Sequence, residues 1–295
     1  RPTISAAFFE EIAPRLFDFG GSRVEAMDQN GIDFSVLSLT GPGVQVEPDT
    51  ATANRMARFA NDFLAKQVQL RPQRYGGFAH LALQDPNEAA NELERCMTQL
   101  GFKGALINGA TNGVYLDDPR YEPFWERVEA LGAPIYLHPA NPFDRPAMYA
   151  GHNELWGPVW SWTAETCTHA LRLIFSGVFD RHPKAQVILG HMGETLPILG
   201  WRLDSRYAIS NRTSVIKRQP SEYLGDNIKI TTSGVCDDVP LRCAIDAFGI
   251  DNVMFSIDYP YESTSIASNW IDTALISETE RAAVAHRNAT RILRL

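Results

Sequence analysis

Three stretches of this 295-residue chain end an apolar run on a residue type that ligates metals or moves protons. Gln186 to Gly190 reads as a buried parallel strand, and His191 and Glu194 follow it three residues apart, where a helix is expected to begin. Pro134 to Leu137 runs into His138 and Pro139, and Val253 to Ile257 runs into Asp258. A histidine beside a carboxylate is a standard device for acid–base work near neutral pH, which makes His191 and Glu194 a candidate pair. Glu194 alone is equally well explained as a residue stabilised by the positive end of a helix. A lone histidine after apolar residues is more often part of the core, but its place at a strand end favours a ligand role for His138. Asp258 closes an apolar run, where a carboxylate is costly to bury unless it is paired or bound to a cation.

Other polar and aromatic residues carry weaker signals. Arg202, one or two helical turns after Glu194, is either a solvated arginine or a bidentate clamp on a carboxylate. Tyr261 and Glu262 follow Asp258 closely enough to share its surroundings. Trp156, Trp160 and Trp162 cluster, and packing explains them better than stacking on a flat ligand ring. His80, His152, His169, His182 and His286 read as structural.

These residues need elements that bring them together. The spacing of Phe8, Ile12, Leu16, Phe19 and Val24 predicts a helix from Ile4 to Gln29, and a strand is expected over Phe34–Leu39. Helices and strands then alternate. Strands are expected over Tyr75–Leu81, Lys103–Asn108, Pro134–His138, Gln186–Gly190, Ile228–Thr232 and Val253–Ile257. The helices between and after them are expected over Thr50–Leu70, Pro86–Leu100, Pro119–Leu131, Ser161–Phe179, 194–210, 238–248 and 277–294. Residues 139–160 read as a long loop. Apolar strands alternating with helices mean a parallel sheet buried on both faces. No glycine-rich phosphate turn announces a doubly wound sheet, and chemistry at several strand ends favours a (β/α)8 TIM barrel, which gathers those ends at one mouth. One barrel domain is expected over residues 1–295. Only about seven strands are found and the chain opens on a helix, so the first strand of the barrel is expected to be missing from the sequence.

Composition narrows the function. A net charge of −8 without basic runs excludes an electrostatic footprint for nucleic acid. No apolar run is long enough to span a bilayer and no signal peptide pattern opens the chain, so a soluble, cytoplasmic protein is expected. Cys96, Cys167, Cys236 and Cys243 show no metal-type spacing and read as reduced thiols.

The order and spacing of His138 with Pro139, of Gly190, His191 and Glu194, and of Ser256, Asp258 and Pro260 resemble the amidohydrolase-related decarboxylases. Within that group the chain is similar to the nonoxidative hydroxybenzoate decarboxylases, which act on γ-resorcylate, 2,3-dihydroxybenzoate, salicylate and 5-carboxyvanillate. Phe102 to Asn108, Gly177 to Pro183, Ile230 to Gly234 and Asn288 to Leu293 extend the likeness along nearly the whole chain. The resemblance implies a divalent metal ion, manganese, zinc or magnesium, held by His138 and Asp258. It makes His191 and Glu194 the acid–base pair and Asp258 the proton donor. Arg202 becomes a substrate contact near a subunit interface. Tyr261 is expected as a second contact on its closeness to Asp258 in the sequence alone. The family opens on a strand whose glutamate binds the metal, and no such stretch precedes Ile4.

The function expected is therefore a carboxy-lyase that removes CO2 from a small ortho-hydroxylated aromatic acid, in a homodimer or homotetramer. Two rivals stand beside it. The same residues would serve a metal-dependent hydrolase of a lactone or amide, and a barrel lacking a strand could serve binding alone.

Overall fold

The structure, a computed structural model, describes residues 4–213 and 216–295. Its strands are β1 Ser35–Leu37, β2 Tyr75–Gly77, β3 Ala79–His80, β4 Ala105–Asn108, β5 Ile135–His138, β6 Val187–Leu189, β7 Ile228–Thr231 and β8 Val253–Met254. Every pairing is parallel and joins neighbours in sequence. β2 and β3 form one ribbon: Phe78 between them donates its N–H to Leu37 O, while Ala79 N–H turns to Gly104 O on the other side. Seven ribbons therefore follow one another, as the strand count anticipated. Among the described residues β1 and β8 do not pair with each other.

The sheet is buried on both faces, which its apolar composition requires. Ala105, Ile107, Ile135, Leu137, Val187, Leu189, Ile228 and Ile230 pack into the large cluster shared with the helices. The alternate residues Phe78, Leu106, Ile188 and Met254, with Tyr136, form a second cluster on the inner face. Because side chains alternate along a strand, Asn108 shares the face of Leu106 and His138 that of Tyr136. Both stand on the inner face, at the C-terminal ends of their strands and opposite each other in register. Ile292 and Leu293 complete the inner cluster from the far end. There Lys103, just before β4, bonds to Arg294 O (3.0 Å), and Arg294 reaches Leu131 O ahead of β5. The C-terminus thus closes the end of the sheet opposite His138.

Several expected elements differ. The first helix is two, Ala6–Leu16 and Ser22–Gln29. Asp18 breaks it by accepting Gly20 N–H (2.9 Å), Gly21 N–H (2.7 Å) and the Ser22 hydroxyl (2.7 Å), bonds that hold its carboxyl far below the usual range. The helix expected to end at Phe179 stops at Phe175, and Val178–Arg181 follows as a short one. No helix begins at Glu194; the next runs over Gly200–Ile209. β8 ends at Met254 because Phe255 N–H leaves the ladder for Val284 O (2.8 Å). The last helix is interrupted by a π-helical stretch, Ala283–Arg287. A helix over Thr264–Thr273, absent from the expected set, packs through Ala267 and Ile271.

Candidate active site

The two predicted acid–base residues sit on a turn that the backbone reaches only under strain. After β6 the chain makes a single 3-10 turn, closed by Gly193 N–H to Gly190 O (2.8 Å) and Glu194 N–H to His191 O (2.9 Å). His191, Met192 and Glu194 take φ of 48°, 58° and 58°, a region that side chains disfavour. Asp258 does the same at 80°. Six non-glycine residues among those described have positive φ, and three of them are His191, Glu194 and Asp258. Such strain persists where the surroundings over-determine the backbone, and it marks functional sites more than ordinary turns. Gly190 has a different constraint: a Cβ there would lie 2.9 Å from the Tyr136 hydroxyl, which is itself bonded to Thr231 Oγ1 (2.8 Å).

The imidazole of His191 stands between two carboxylates. Its Nδ1 faces Glu194 Oε1 at 3.0 Å and its Nε2 faces Asp258 Oδ2 at 3.7 Å. Burial by itself would depress its pKa, but Asp258 and Glu194 outweigh burial and raise it to about 10. At neutral pH the ring therefore carries both N–H groups. Glu194 is held in turn by Thr163, whose hydroxyl donates to Oε2 (2.7 Å). Beyond Asp258, the Glu262 carboxyl is raised by its burial and then by Asp258. Asp258 O accepts the N–H groups of Tyr261 (2.8 Å) and Glu262 (3.1 Å), which folds the segment back over the site.

His138 ends β5, and burial lowers its pKa. Its Nδ1 lies 2.8 Å from Pro139 O. A carbonyl only accepts, so Nδ1 carries the proton and Nε2 keeps a free lone pair. The Trp162 ring meets this imidazole edge-on, with centroids 6.2 Å apart. Asp258, His191 and Glu194 all lie near enough to influence His138 electrostatically. Thus His138, His191, Glu194 and Asp258 come together as the sequence indicated. Among the described residues no group of three or more histidine, cysteine or acidic side chains is close-set enough to hold a metal ion by itself.

Tyr261 is also present, its hydroxyl 2.8 Å from Thr40 Oγ1. Arg202 stands apart, exposed on the helix Gly200–Ile209. Two polar residues of the site were missed in the sequence. Asn108 closes β4 opposite His138, and its buried Oδ1 has no hydrogen-bond partner among the described residues. The strand-end pattern that singled out His138 would have found it. Thr163 belongs to a helix, and no local pattern points to it. His80 is structural as expected, accepting Val44 N–H (2.8 Å). An open groove of about 910 Å³ lies at the opposite end of the sheet, where Arg218 is paired with Asp226 (2.6 Å) and Lys229 with Asn252 (2.7 Å).

The amidohydrolase family profile matches residues 12–295. A gamma-resorcylate decarboxylase of Polaromonas sp. (strain JS666) is 45% identical over 294 residues, which cover 97% of this chain and 90% of the relative. A crystal structure of 2,6-dihydroxybenzoate decarboxylase complexed with 2,6-dihydroxybenzoate superposes with a TM-score of 0.95 at 43% identity, covering 99% of this chain and 93% of that one. A dihydroxybenzoic acid decarboxylase from Polaromonas sp. JS666, with bound manganese and the inhibitor 2-nitroresorcinol, has a TM-score of 0.94 at 44% identity, covering 99% and 91%. With the profile spanning nearly the whole chain and these relatives at more than 40% identity, the chain belongs to the amidohydrolase family.

Proposed function

We propose that this protein is a metal-dependent nonoxidative decarboxylase of an ortho-hydroxylated aromatic acid of the 2,6-dihydroxybenzoate type. The observation that carries the reading is the His191 imidazole held between Glu194 and Asp258, beside His138, on the family's scaffold. The named activities of the relatives support it.

The residues present fit a divalent cation. His138 offers the Nε2 lone pair left free by Pro139 O, and Asp258 offers a carboxylate, so these two would contribute to its ligands, with manganese, zinc or magnesium as the ion. When bound, such an ion supplies positive charge to the carboxylate and phenolate oxygens of the substrate and orients them. As substrate binds, Asp258 takes the proton of the ortho hydroxyl, leaving the phenolate, and then gives that proton to the ring carbon bearing the carboxylate. The bond from that carbon to the carboxylate then breaks, its electrons restore the aromatic ring, and CO2 leaves. Glu194 accepts the Nδ1–H of His191, which keeps the Nε2–H aimed toward Asp258, where it can hold the phenolate oxygen.

Tyr261 and Arg202 are the proposed substrate contacts, Arg202 reaching the site of a second copy in a homodimer or homotetramer. Ile198, Trp201 and Ile209 flank Arg202, and all are largely exposed, Trp201 to 80%. Apolar groups of that size fit a subunit interface. The proposed place of action is the cytoplasm, which suits four free cysteines, and residues 1–295 are taken as one barrel domain. No helix among the described residues is long and apolar enough to cross a membrane.

CO2 release measured over a panel of hydroxybenzoates with each cation tests the reading. Acids with an ortho hydroxyl should react and 4-hydroxybenzoate should not. Turnover of lactones or amides to acids, without CO2, would replace the reading with a hydrolase. No bound cation and no turnover would leave a binding barrel.

A further inference from the structure

The helix Ser161–Phe175 touches both halves of the site with its first turn. Ser161 Oγ and Trp162 Nε1 both donate to Asn141 Oδ1 (2.9 and 3.1 Å), three residues past His138. The next residue, Thr163, donates to Glu194 Oε2 at 2.7 Å, and the other oxygen of that carboxylate lies 3.0 Å from His191 Nδ1. One turn further on, Cys167 Sγ lies 3.2 Å from Thr195 Oγ1, a second link between this helix and the turn that carries Glu194. A helical threonine commonly bonds back to the carbonyl four residues earlier, as Thr168 does to Ala164 O (2.7 Å). Thr163 spends its hydroxyl on Glu194 instead. The Glu194 side chain is only 6% exposed, so water has little room to replace that donor.

We propose that Thr163 is a positioning residue: its hydroxyl fixes the rotation of the Glu194 carboxylate, so that Oε1 stays on His191 Nδ1 and Nε2 stays aimed at Asp258. This assignment rests on the decarboxylase reading for its kinetic consequence and on the hydrogen-bond chain for its structural one. Thr163→Val keeps the volume and deletes the donor, Thr163→Ser keeps the donor, and Thr168→Val is the control on the same helix.

Kinetics on 2,6-dihydroxybenzoate with manganese should show kcat of Thr163→Val reduced about 10- to 100-fold, a loss typical of removing an orienting partner, with KM and manganese content near wild type. Thr163→Ser should restore most of the rate, and Thr168→Val should match wild type. The second readout is the Nδ1–H resonance of His191 in metal-free protein carrying nitrogen-15 histidine. It should be shifted downfield and protected from exchange in wild type and Thr163→Ser, and lost in Thr163→Val. Unchanged kcat in Thr163→Val, equal losses in Val and Ser variants, or a resonance indifferent to both would overturn the assignment. If wild type releases no CO2 from any hydroxybenzoate, the decarboxylase reading falls and the resonance alone decides the role of Thr163.

Discussion

The hydroxyls of Thr40 and Tyr261 lie 2.8 Å apart although 221 residues separate them in the chain. Thr40 follows β1 and Tyr261 follows β8, the two ribbons that do not pair among the described residues. The Arg23 guanidinium lies 4.6 Å from the Tyr259 ring and strengthens the same seam. Side chains therefore join the segments beyond these two ribbons, beside the residues proposed to do the chemistry.

That relationship predicts a measurable coupling. Tyr261→Phe keeps the ring and removes the hydroxyl, and should lower the stability from denaturant unfolding by about 1 kcal/mol, the usual net worth of one hydrogen bond. Thr40→Val should cost a similar amount, and the double variant should cost much less than the two losses added. Full additivity would show that the contact carries no energy.

Asp258→Asn is expected to abolish nearly all turnover. It removes the proposed proton donor and one charged metal ligand together, while keeping the size of the side chain. A loss of at least about a hundredfold in kcat, near 2.7 kcal/mol of barrier, is the expected result in single-turnover assays. A variant that keeps more than about a tenth of the wild-type rate, a loss below 1.4 kcal/mol, would remove Asp258 from the donor role.

How far the site could be seen in advance follows from where each residue sits. His138 and His191 end apolar runs, and parallel strands gather their C-terminal ends, so type and position were visible together. Asp258 was found by the same reasoning although β8 stops four residues earlier, because the apolar pattern continues past the point where Phe255 turns to Val284 O. The strained turn of His191 and Glu194 was misread as a helix start, since a histidine and a glutamate three apart fit either geometry. Thr163 and Thr40 owe their roles to partners 31 and 221 residues away, which no local pattern encodes. The helix Thr264–Thr273 was hidden by its serines and threonines, residues that favour turns as readily as helix caps.

A second buried carboxyl gives the protein a pH-dependent stability. Glu165 is 3% exposed, and its burial, only partly offset by the backbone N–H of Ala140, raises its pKa to about 7 from 4.5. Between those two values the folded state holds a proton that the unfolded state has released. Stability from this group therefore falls as pH rises from about 4.5 to about 7 and is level above, a change on the order of 3 kcal/mol. His169, 3.9 Å away and kept neutral by burial down to about 3, acts in the opposite sense below 6.5. The difference between wild type and Glu165→Gln isolates the carboxyl. Urea midpoints should nearly coincide at pH 5, and the variant should be the more stable at pH 8. A difference independent of pH would show that Glu165 ionises alike in both states.

The tautomer of His138 decides whether it can be a ligand, and its backbone neighbour sets that tautomer. With Nδ1–H given to Pro139 O, the ring presents Nε2 as a neutral donor that no proton blocks. His138→Ala removes this donor and leaves Asp258 as the remaining ligand of the proposed pair. Manganese affinity, measured by calorimetry on metal-stripped protein, should fall by more than about a hundredfold, with kcat recovering only in part at saturating manganese. The fold should survive, since the inner cluster of Phe78, Leu106, Ile188 and Met254 does not include the His138 ring. Circular dichroism and the thermal midpoint of the metal-free variant should therefore match metal-free wild type. Wild-type manganese affinity in a folded His138→Ala protein would take His138 out of the metal site and leave the free lone pair to bind substrate directly.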